Sequence, residues 1–223
     1  MVPPPFSPLM PIIELVFTVI AVFFCFMIYF KTKESYDLTK YKGIRYFRDA
    51  FLFFALSYVM RFLFSILMFS SFAFDFILPR AALGPLFILP LGYFSTMGIF
   101  YLIFSSIWKK FNNKTMLIIG HTIAIILSVA SFLTRSHMML LLLQSIFLVM
   151  AVILNVLAHK GQKKLSGTRV LYALVSVLWL INLWVIDRGV GRMPFSPALE
   201  LFFHIMLLLV FVIIYHKVSK WVK

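Results

Sequence analysis

The sequence holds one cysteine, Cys25, and it lies inside an apolar run. No intrachain disulfide can form, and no cysteine cluster exists to hold a metal. Acidic residues are almost as scarce: seven Asp and Glu stand against 21 Lys and Arg. Charged residues of both signs make up 13% of the chain, while 63% is hydrophobic, a balance that excludes an ordinary soluble domain. No Gly/Ser linker, low-complexity tract or domain boundary interrupts it. The zinc motif H-E-x-x-H and the nucleophile elbow G-x-S-x-G are both missing. No catalytic residues and no cofactor are therefore expected.

What fills the chain is a series of apolar runs, each long enough to cross a hydrocarbon core about 30 Å thick. Seven spans are expected, at 11–30, 49–73, 85–108, 115–134, 137–158, 169–187 and 197–217. The expected fold is all-α, a single polytopic seven-transmembrane helix bundle over 1–223. The short connections favour antiparallel neighbours. The N-terminal stretch "MVPPPFSPLMP" has no basic residues and no evident cleavage site, so the first run reads as a retained helix rather than a signal peptide.

The formal charge of +14 does not point to nucleic acid, because the basic residues sit in short clusters between apolar runs. Lys31, Lys33, Lys40, Lys42, Arg45 and Arg48 lie in the first connection. Lys109, Lys110 and Lys114 lie in the third, and Lys160, Lys163, Lys164 and Arg169 in the fifth. Lys217, Lys220 and Lys223 end the chain. The alternate connections hold only Arg80, Arg135, Arg188 and Arg192. Under the positive-inside rule this puts the N-terminus outside and the C-terminus in the cytoplasm of a multi-pass cell-membrane protein. The first connection is the longest. It reads as an ordinary loop, or as an amphipathic stretch lying on an anionic leaflet.

Within the second span, "SYVMRFLF" carries an arginine among aromatic and aliphatic residues. A central Arg costs roughly 2.5–3.5 kcal/mol on insertion scales, so Arg61 is expected to face the bundle interior with a partner. Ser57 and Ser65, one turn to either side, make a polar stripe with it. Of the acids, Glu34, Asp37 and Asp49 are expected in the cytoplasm, and Asp75 and Asp187 at outer helix ends. Glu14 and Glu200 remain, each about one turn inside the outer boundary and within reach of a snorkelling Arg. Both follow the same pattern: "PFSP" at 5–8 and 194–197, then "PIIEL" and "PALEL". Proline and glutamate suit a first helical turn, so the likeness is also what shared capping chemistry alone would give. His204 falls one turn below Glu200.

These residues suggest an outward-facing polar pocket with Arg61 as floor and Glu14, Glu200 and His204 as wall. Ser57, Tyr93 and Asn182 are further candidate ligand contacts, and Thr18, Thr96, Gln144 and Trp179 are other polar groups in the same half. The competing reading is a structural network that binds nothing. Glu200 and His204 match one element of the paired histidines on the last helix of ceramidase-type hydrolases, which is thin support for catalysis. His204 and His121 are not expected to share a metal site.

Seven helices with this orientation resemble receptors, rhodopsins and small sugar transporters in topology. Lys217 lies too near the cytoplasmic end for a retinal Schiff base, and the echo between the first and last helices does not fit the transporters' repeat. The stretch "YKGIRYFRDAFLFFALSYVMRFLF" is similar to the second-helix region of uncharacterised seven-helix membrane proteins of archaea. That resemblance implies a fold and no activity. The expected function is a receptor-like sensor for a small or lipidic ligand, signalling through a membrane or cytoplasmic protein partner. The alternatives are a small-solute transporter, for which "LPLGYF" at 89–94 is the candidate helix break, and a non-catalytic subunit of a membrane complex.

Overall fold

The computed structural model describes residues 9–74, 80–109, 113–134, 137–158, 166–188 and 197–220. Among them the chain is all α-helical, with seven helices: α1 (Leu9–Thr39), α2 (Lys42–Ala73), α3 (Arg80–Ile107), α4 (Asn113–Thr134), α5 (His137–Ala158), α6 (Ser166–Arg188) and α7 (Pro197–Ser219). Six are long and apolar enough to cross a membrane; α6 is apolar over the shorter stretch Arg169–Leu183. Large apolar side chains such as Phe23, Leu142, Ile146, Phe202 and Leu209 face outward. Apolar outer faces of this extent, on helices of this length, belong to a multi-pass membrane protein.

Six helices form a ring in which α1 packs on α2, α2 on α3, α3 on α5, α5 on α6, α6 on α7, and α7 back on α1. The seventh, α4, packs mainly on α3 and lightly on α5. Its inner face explains the close fit: Gly120, Ala124 and Ser128 recur every fourth residue and are buried. Small residues at this spacing let helix backbones approach in lipid, where no hydrophobic force drives helices together. A Cβ on Gly120 would stand 2.8 Å from the Phe104 ring of α3.

The register of α2 positions the site. Phe47, Phe51, Phe54, Tyr58, Arg61 and Ser65 alternate at steps of four and three residues, and all are buried. That spacing keeps one seam of a helix facing its partners. The seam reaches across the bundle to α6, where Phe47 meets Tyr172 and Phe54 stacks on Trp179 at 4.1 Å between ring centroids. It reaches α7 through Tyr58 and Phe211, 6.1 Å apart.

The first connection differs from the expected loop. At 31 and 32 residues, α1 and α2 are each about 47 Å long at 1.5 Å per residue, well beyond a hydrocarbon core of about 30 Å. Both run on through the lysine-rich stretch and turn at Lys40 and Tyr41 alone. Lys40 takes a positive φ of 52° there. The physical reason is tertiary. The Arg48 guanidinium of α2 lies over Tyr29 and Tyr36 of α1, at 5.2 and 5.6 Å from the ring centroids. It also pairs with Asp49 at 2.7 Å. Near the turn, a Cβ on Gly43 would come within 2.9 Å of Trp108 Nε1 and 3.1 Å of the Ser105 carbonyl oxygen, so glycine lets α2 lie close against the end of α3.

Candidate functional site

Four helices bring one polar group together near the lysine-poor end of the bundle. α1 supplies Glu14 from its second turn, α2 supplies Arg61, α6 supplies Asn182 and α7 supplies His204. Arg61 donates to both carboxylate oxygens of Glu14, from Nε to Oε1 and from Nη2 to Oε2, the latter at 2.8 Å. This two-pronged contact matches the planar guanidinium to the planar carboxylate. Arg61 Nη1 donates to Asn182 Oδ1 at 2.9 Å. His204 Nε2 stands 3.1 Å from Glu14 Oε2. An ionised carboxylate only accepts, so this contact requires the proton on Nε2. Phe17 of α1 lies beneath, with Arg61 over its ring at 5.6 Å and the His204 ring edge-on at 4.4 Å.

The group is largely shut off from solvent and lipid. Side-chain exposure is 8% for Arg61, 18% for Glu14 and 3% for His204. Burying such charges is costly unless they are paired and hydrogen-bonded, and here Glu14 supplies the counter-charge. The assembly has one positive and one negative charge and an imidazole, the side chain whose ordinary titration falls nearest neutrality. Among the described residues, no group of three or more His, Cys, Asp or Glu side chains could hold a metal.

Arg61, Glu14, His204 and Asn182 thus stand together. The Glu200 side chain lies outside the described residues. Ser57 is buried on α2, while Arg61 bonds to Glu14 and Asn182. Thr18 is turned back on its own helix and donates to the Glu14 carbonyl oxygen at 2.9 Å, as hydroxyls in membrane helices often do. Tyr93 is elsewhere, in contact with His121 of α4 at 2.8 Å between Oη and Nδ1. It adjoins a second polar cluster, in which Gln144 Nε2 of α5 donates to Ser95 Oγ at 2.7 Å and Thr96 Oγ1 at 2.9 Å on α3.

Two contributors were not singled out from the sequence. They are Phe17 of α1 and Tyr58 of α2. The four-and-three spacing along α2 is the signal that puts Tyr58 on the same seam as Arg61.

No family model matches the chain, and no solved structure matches it. Over 189 residues the chain is 30% identical to a protein of Archaeoglobus fulgidus that carries the name "Uncharacterized protein", a match covering 82% of this chain and 83% of that one. The chain belongs to the same family as that archaeal protein.

Proposed function

We propose that the protein is a seven-helix receptor-like sensor of the cell membrane that binds a small or lipidic ligand at its outer end. In this reading α6 is the seventh span, the N-terminus lies outside and the C-terminus is cytoplasmic. Its 23 residues give α6 a length of about 35 Å, enough to span. The Lys and Arg clusters support the orientation, which impermeant maleimide labelling tests. In a Cys25→Ala background, Ser7→Cys should react in intact cells and Lys33→Cys only after lysis.

The observation that carries the ligand site is the joining of α1, α2, α6 and α7 through the Arg61–Glu14 pair, with Asn182 on Arg61 and His204 on Glu14. An ionisable group deep in a membrane bundle marks a functional site by default. A ligand that entered between Arg61 and Glu14 would act on the pair to which all four helices are tied, which is what a sensor needs. A transporter is favoured less, because α3 runs unbroken through "LPLGYF" at 89–94, where a mid-membrane interruption was the expected sign.

Native mass spectrometry of the protein gently released from its own host membrane tests the reading. A retained small molecule or lipid, lost in Arg61→Leu while the fold persists, is expected. An empty site with a tightly retained protein partner would overturn it in favour of a complex subunit.

A further inference from the structure

Below the Arg61 group, the seam between α2 and α6 contains buried polar atoms with no hydrogen-bond partner among the described residues: Tyr58 Oη, Ser176 Oγ, Trp179 Nε1 and Asn182 Nδ2. Their residues are all at least nine-tenths buried. Ser176, Trp179 and Asn182 follow one another at three-residue steps along the buried side of α6. Tyr58 lies edge-on to the Trp179 ring at 5.6 Å, and Asn182 is bonded to Arg61 through its carbonyl oxygen. The Trp179 ring is fixed by its stack on Phe54.

The chemistry of the two nitrogens is one-sided. An indole N–H and an amide NH₂ can only donate, and the two hydroxyls can donate as well. Whatever completes them must bring acceptors. Charge narrows the choice. Arg61 is already matched by Glu14, so an anion here would carry an unmatched charge into the bundle, at a large desolvation cost. A cation would meet donors and the guanidinium. Resting on the ligand site proposed above, we infer that the α2–α6 seam takes an uncharged oxygen acceptor, held by Tyr58, Trp179 and Asn182. Two sources share this chemistry: internal water, and the hydroxyl, ether or ester oxygen of an organic molecule. A buried water commonly makes about three hydrogen bonds to such groups.

The experiment uses the whole protein in nanodiscs of host lipid. Millisecond X-ray radiolysis in ¹⁸O-water, read by peptide mass spectrometry, reports water adjacent to a side chain even where bulk solvent is excluded. Parallel extraction reports any organic molecule carried by the same preparation. Heavy-oxygen labelling of Tyr58 and Trp179, falling several-fold in Asn182→Leu, assigns the acceptor to water and supports the inference. Absence of labelling with an uncharged oxygen-bearing compound in the extract, reduced several-fold in Trp179→Phe, assigns it to an organic ligand and also supports it. A phosphate- or carboxylate-bearing compound lost in Arg61→Leu would overturn the inference while leaving the ligand site standing. Neither labelling nor a retained compound would overturn it outright.

Discussion

Removing one member of the Arg61–Glu14 pair should harm the fold far more than removing both. Glu14→Leu leaves a guanidinium with 8% exposure facing Asn182 without its counter-charge. Breaking a buried pair in this way costs about 3–5 kcal/mol. Arg61→Leu leaves a carboxylate that keeps its hydrogen bond from His204 at 3.1 Å. That variant should lose less, about 1.5–3 kcal/mol for the lost charged hydrogen bonds. In the double variant two leucines replace the pair in an apolar surround of Phe17 and the α2 seam. Such exchanges are often neutral or stabilising. The expected order of stability puts wild type and the double variant together at the top, then Arg61→Leu, then Glu14→Leu. The coupling energy should be at least about 4 kcal/mol, the smallest sum of the two single losses. Equilibrium unfolding by steric trapping in bilayers measures all four. Additivity within about 0.5 kcal/mol would refute the reasoning, because distant independent sites behave that way.

Other positions give further tests. A Cβ on Gly98 would stand 2.4 Å from a Phe54 ring that is itself stacked on Trp179. Gly98→Ala should therefore destabilise by about 1–3 kcal/mol through overpacking, read as a fall in thermal midpoint. Lys40 adopts the left-handed conformation at the α1–α2 turn; Lys40→Gly should stabilise the turn by about 1 kcal/mol, read in the same assay. Gln144→Leu removes the bonds from α5 to Ser95 and Thr96. It should cost about 0.6 kcal/mol, the mean for interhelical bonds in a membrane protein, and leave ligand retention unchanged.

Much of the architecture was legible because a membrane forces long apolar runs and makes an internal charge conspicuous. The polar stripe Ser57, Arg61 and Ser65 indicated which face of α2 turns inward, and all three are buried. The scarcity of acids left few partners for Arg61, and Glu14 is one of the two that elimination left. What stayed hidden depends on contacts between distant residues. The lysine-rich stretch after Phe30 reads as a loop because its own composition is polar; its helical form rests on Arg48 of α2 lying over two tyrosines of α1. Tyr93 reads as facing the same pocket as Arg61, yet α4 packs close enough for His121 to reach it. Nothing in one span announces that neighbour. Likewise, the donors of Trp179 and Asn182 look ordinary until α2 and α6 face each other across the bundle.

The double variant Arg61→Leu/Glu14→Leu offers the most direct measurement, since it separates binding from folding. Native mass spectrometry of wild type and double variant, prepared alike from the host membrane, should show a bound molecule in the first and its loss in the second, at equal stability. A molecule retained equally by both would contradict a site at Arg61 and make the Arg61–Glu14 pair part of the bundle's architecture alone.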